Sequence, residues 1–136
     1  MVELNGENHS KVCSNMFLLG QVQMRTQKFE ESLVSVNKAF ELSKALTNEF
    51  GSDLEIVQSK FYMLKANVSF ILGRYKESLE AASEGMQCIT KVKSQEPTIM
   101  RSMVNTRRDL NNIRIRSVAK LEGVPAHKVR HQSDQI

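Results

Sequence analysis

Lys28-Phe29-Glu30-Glu31-Ser32-Leu33 returns 46 residues later as Arg74-Tyr75-Lys76-Glu77-Ser78-Leu79: basic, aromatic, any residue, Glu, Ser, Leu, in the same order. Self-similarity at a fixed period of a few tens of residues marks one supersecondary unit copied, so that the copies bury together what one alone cannot. The echo widens when the chain is laid on itself at that offset. Met16 falls on Tyr62, Phe17 on Met63, Gly20 on Ala66, Ala39 on Gly85, Phe40 on Met86 and Leu42 on Cys88. Small residues face small ones at Gly20/Ala66 and Ala39/Gly85, as helices require where their backbones approach closely, and large apolar residues hold the positions a core must fill. Each copy therefore reads as two helices.

The 3.6-residue periodicity agrees. Apolar residues recur at Val12, Cys13, Met16, Phe17, Leu19 and Met24 after a Ser10 cap, and again at Leu33, Val36, Ala39, Phe40, Ala45 and Leu46 as far as Phe50-Gly51. Ser52 or Asp53 caps a third helix that stops at Gly73, and a fourth runs from Tyr75 to about Val92. Pro97 suits the first turn of a fifth helix, since the amide it lacks there has no partner to lose. Across 97–121 that helix places Ile99, Met100, Met103, Val104, Leu110, Ile113, Val118 and Leu121 on a stripe broken by Thr106 and Ser117, and Gly123 and Pro125 end it. The organisation read from this pattern is a flexible leader over 1–9, a helical domain over 10–121 (repeat one 10–51, repeat two 52–95, a capping helix 97–121) and a flexible basic tail over 122–136.

Composition bounds the class. The 136 residues are 40% hydrophobic and 25% charged, with six Gly and two Pro, which favours long helices over strands and turns. No run of 18 apolar residues and no secretory opening after Met1 is seen, so a chain without a membrane span, in the cytoplasm or nucleus, is expected. Cys13 and Cys88 lack metal or disulfide spacing and read as small buried hydrophobes. His127 and His131 stand at i, i+4 spacing, but beyond Pro125 in a polar tail, so no metal is expected; no phosphate loop, nucleophile elbow or paired catalytic carboxylates can be assembled, and no enzyme or cofactor is expected.

These residues resemble the tetratricopeptide repeat family in its longer-period form, as in kinesin light chains, over roughly residues 10–92. Leu19-Gly20 resembles the Leu-Gly of the family's first helix, and Phe29, Ser32, Leu33, Val36 and Ala39 the aromatic, small, Leu, bulky and small series of its second. Gly73-Arg74-Tyr75, Ser78, Leu79, Ala82 and Gly85 repeat the pattern. Lys65 stands where the family has Leu, Ala66 replaces its Gly, Ser32 and Ser78 replace its Ala, and the period of 46 exceeds the usual one of about 34.

The resemblance implies an all-α fold of antiparallel helical hairpins stacked as a short solenoid, with the long fifth helix as its cap. It also implies a non-enzymatic protein-interaction scaffold whose concave groove takes a peptide or helix of a partner. The groove positions that correspond are Ser14, Phe17, Gln21, Met24 and Arg25 in copy one and Lys60, Met63, Asn67, Phe70 and Ile71 in copy two; the plain alternative for each, Phe70 and Ile71 above all, is core. Of the carboxylate clamp some members carry, only Asn67 fits, Phe17 and Gln21 taking the place of the first pair. A groove with Phe17, Met24, Met63 and Phe70 suits an apolar or amphipathic ligand.

Charge is lopsided: residues 1–100 carry 11 basic and 12 acidic side chains, and residues 101–136 carry 8 and 3. The C-terminal excess, at Arg107, Arg108, Arg114, Arg116 and Lys120, offers the alternative function of binding nucleic acid or an acidic protein surface. Without interleaved aromatics or a nucleic-acid module, nucleic acid is the lesser expectation. With two repeats and one cap, a monomer or weak homo-oligomer is expected.

Overall fold

A computed structural model describes the backbone of residues 6–45 and 54–123, and the side chains of 11–45 and 54–123. Five helices account for nearly all of it: α1 Gly6–Arg25, α2 Phe29–Ala45, α3 Leu54–Ile71, α4 Tyr75–Thr90 and α5 Pro97–Glu122. No strand occurs among the described residues. α1 begins at Gly6, so the leader expected over 1–9 is helical in its second half; Glu7, Asn8 and His9 contain nothing that breaks a helix. The expected Phe50-Gly51 stop, the Ser52 or Asp53 cap and nearly all of the expected basic tail, with His127 and His131, lie outside the described residues. α4 ends at Thr90, slightly before the periodicity does.

The two turns repeat bond for bond at the offset of 46. In the first, Gln27 N donates to Met24 O (3.1 Å) and Lys28 N to Gln23 O (2.7 Å); in the second, Gly73 N donates to Phe70 O (3.0 Å) and Arg74 N to Ser69 O (2.8 Å). Gln27 and Gly73 both sit in the left-handed region, at φ 66° and 79°. This is the reversed end that lets a helix release its last carbonyls onto amides beyond it and turn back. Arg74 also pairs with Glu30, joining the second turn to the start of α2 across the surface.

Each hairpin is antiparallel. Ser32 Oγ donates to Gly20 O at 2.7 Å, and seven residues further out on both helices Cys13 Sγ donates to Ala39 O at 3.3 Å. Its counterpart in the second hairpin is Ser78 Oγ donating to Ala66 O at 2.9 Å. Ser32 and Ser78 are therefore fully buried and satisfied.

Packing follows the chain: α1 lies on α2, α3 on α4 and α5 on α4, while α3 reaches back to α2 and α1, and α5 reaches back to α3. The first core joins Cys13, Leu33, Val36, Ala39, Phe40, Phe61, Leu64 and Val68. Phe61 packs between Phe17 (tilted, 4.9 Å between centroids) and Phe40 (edge-to-face, 5.4 Å), so the two hairpins share one aromatic cluster. Lys65 holds its ammonium 5.9 Å from the centroid of the Phe40 ring.

The second core joins Ala66, Ala81 and Ala82 to Leu110 and Ile113 of α5. Gly85 permits the approach: a Cβ there would stand 2.9 Å from a Leu110 methyl and 3.0 Å from Tyr62 Cβ. Thr106 and Ser117, which break the α5 stripe in the sequence, are buried within it. Thr106 donates to Ser102 O (2.9 Å), and the single proton of Ser117 Oγ is shared between Ile113 O (2.7 Å) and Ser78 Oγ (3.0 Å). The stripe is also shorter than expected, because Met100, Val104 and Leu121 are each at least half exposed. α5 has 26 residues, about 39 Å at 1.5 Å per residue, against 16 in α4, so its ends overhang their partner. Gly123, at φ 69°, terminates it as expected.

Candidate interaction groove

Met63 and Asn67 are one turn apart on α3, and Asp109, Asn112, Ile113 and Arg116 fall on adjoining turns of α5. Together the six line an open groove of about 320 Å³ between the two helices. Met63 packs against the second core beside buried Ile113, which gives an apolar floor. The rim is polar, and its groups are uncommitted. Among the described residues nothing hydrogen-bonds Asn67, Asn112 or Arg116, and Asp109 has only a long 3.6 Å pair with its exposed neighbour Arg108. Such a pair is worth at most about 1 kcal/mol.

The sequence-derived groove set divides on this geometry. Met63 and Asn67 share the cavity; Phe17 and Met24 are half-buried against the first core. Ser14 and Arg25 are exposed, and Gln21 and Lys60 half-exposed. Phe70 makes an edge contact with Tyr75, 5.1 Å between centroids, and Ile71 is exposed. Asp109, Asn112 and Ile113 were not among the sequence candidates. Their signal is the packing of α5 against α3, which the pattern within α5 alone does not reveal.

The five basic candidates do not form one face. Arg107, Arg108, Arg116 and Lys120 are exposed, Arg116 also lining the groove, and Arg114 is held by Asn111 Oδ1 at 2.7 and 3.2 Å. At 100° per residue, Arg107 and Arg116 point to opposite sides of α5.

A second cavity, of about 420 Å³, is lined by Tyr62, Lys65, Glu77, Glu80, Ala81 and Glu84. Burial, with Cys88 and Glu84 nearby, pushes the Tyr62 phenol above its ordinary value. Burial likewise raises both thiols, so Cys13 and Cys88 are neutral and poorly nucleophilic at neutral pH. Among the described residues no group of three or more His, Cys, Asp or Glu is placed to hold a metal ion, and no helix is long and apolar enough to cross a membrane.

Comparison with protein-family models, with curated proteins and with solved structures finds no match to this chain.

Proposed function

We propose that this protein is a non-enzymatic interaction module that takes a peptide or helix of a partner protein in the α3–α5 groove. The observation that supports this reading is the combination of a Met63–Ile113 floor with three rim side chains, Asn67, Asn112 and Arg116, that no group among the described residues engages. Polar groups left open beside an apolar floor supply orientation and specificity to a ligand whose apolar side chain supplies the affinity.

The architecture proposed with it is a short stack of two hairpins of the tetratricopeptide type, closed by α5. Its support is the bond-for-bond recurrence of the turns at 46 residues. It is also supported by the way α5 lies on α4 and α3, as α3 lies on α2 and α1. Two free, buried thiols suit a reducing compartment, cytoplasmic or nuclear. The nucleic-acid alternative has less support, because Arg107 points away from Arg116 across α5 and Arg114 is held by Asn111.

The test is a paired substitution, Met63→Lys with Asn67→Ala, used as bait beside the unaltered protein. Loss of specific partners from the pull-down with unchanged helical circular dichroism is the expected outcome. Equal partner recovery by the two baits excludes this groove.

A further inference from the structure

Asp109 and Arg116 are seven residues apart on α5, two helical turns, so an acid and a base stand about 10 Å apart along the same groove. Between them lie the carboxamide of Asn112 and, across the groove, that of Asn67, above the Met63–Ile113 floor. Resting on the reading of this groove as a binding site, we propose that its ligand is an extended peptide segment carrying a basic and an acidic side chain three residues apart.

Charge complementarity fixes the pair: the cation faces Asp109 and the anion faces Arg116. The spacing fixes the backbone. In a polyproline-II segment, three residues make one turn and rise about 9 Å, so side chains i and i+3 emerge on one side at nearly the separation of Asp109 and Arg116. That conformation has no internal hydrogen bonds, so its amides and carbonyls are free. A carboxamide offers both a donor and an acceptor, and Asn67 and Asn112 are therefore matched to a peptide backbone rather than to a helix whose backbone is already paired.

The experiment screens the full-length protein against an immobilised library of octapeptides with acetylated and amidated ends, beside the same library with free C-terminal carboxylates. The expected result is enrichment, in both libraries, of peptides with Lys or Arg three residues from Asp or Glu. The double replacement Asp109→Arg with Arg116→Asp reverses the preferred order of the two charges, and either single replacement weakens the selected peptide about fivefold. Circular dichroism confirms that the replaced proteins remain helical. Binding confined to free carboxylates, or enrichment indifferent to the charge exchange, overturns the charge-pair proposal while leaving the groove a binding site. Absence of binding in both libraries overturns the groove as a peptide site altogether.

Discussion

Gln27 and Gly73 adopt the same left-handed backbone conformation at equivalent points of the two turns, yet only Gly73 does so without a Cβ to strain. The turn geometry dictates this φ, and copy one meets it with the wrong residue.

Replacing Gln27 with Gly is therefore expected to stabilise the protein by about 0.5–1 kcal/mol, the relief of strain exceeding the added freedom of the unfolded chain. Replacing Gly73 with Ala is expected to cost a similar amount. Paired urea denaturation curves measure both, and a destabilised Gln27→Gly protein contradicts the account.

Gly85 and Gly20 both admit a neighbouring helix, but with different tolerance. A methyl at Gly20 meets the tip of Leu64 at 3.1 Å, which can swing aside. At Gly85 it meets both Leu110 methyls and the unyielding Tyr62 Cβ at 3.0 Å. Gly85→Ala is expected to cost about 1–3 kcal/mol and to loosen α5, and Gly20→Ala to cost less. Calorimetric melting of the two proteins gives the order, and hydrogen exchange along α5 separates local loosening from global loss.

Ser69 is wholly buried and, among the described residues, its hydroxyl has no partner. The repeat explains why: Gln23, its counterpart, accepts a 2.6 Å bond from Ser35, but the residue corresponding to Ser35 is Ala81. Ser69→Ala is expected to raise stability by about 1 kcal/mol, whereas Ser78→Ala, which removes bonds to Ala66 and Ser117, is expected to lower it by about as much. Opposite shifts in melting temperature from one chemical change are the signature; like shifts refute it.

Cys13, Cys88 and Tyr62 all ionise less readily in the folded protein than free in water, with burial the leading cause in each. Because the folded values are raised, the unfolded chain loses these protons first as pH rises. The stability is complete below about pH 8.5, the unfolded thiol value, and is lost as pH climbs through the folded values. Denaturation midpoints are expected to be flat from neutral to weakly basic pH and to fall beyond it. An alkylating reagent at neutral pH is expected to label both thiols only on the timescale of unfolding, and rapid native-state labelling would disprove it.

The helices and their punctuation were legible because they rest on local chemistry: Gly73 and Gly123 reverse the chain, Pro97 starts a helix, and the apolar period places Cys13, Leu33, Val36, Leu64 and Leu110 inside. What escaped is set by partners rather than by period. Ser32, Ser78 and Ser117 look like interruptions until the facing carbonyl or hydroxyl is known. Met100 and Leu121 look like core until the shorter length of α4 leaves them overhanging. At the groove, Met63 and Asn67 were legible through the repeat, but Asp109, Asn112 and Arg116 face them only because α5 packs against α3. Phe17 followed the same pattern as Met63, and its ring went to Phe61.

The bonds from Ser32 to Gly20 and from Ser78 to Ala66 each join residues only twelve apart in the chain. Contacts this local need little loop closure before they form, so each hairpin can close on its own side chains ahead of any encounter with the other. Folding on the roughly microsecond-to-millisecond scale of such local topologies is expected, with docking of one closed hairpin on the next as its slow step. The Phe17–Phe61 and Phe40–Phe61 contacts span the two hairpins, so Phe61→Leu is expected to slow refolding in stopped-flow measurements, and a change confined to the unfolding rate would place the barrier elsewhere.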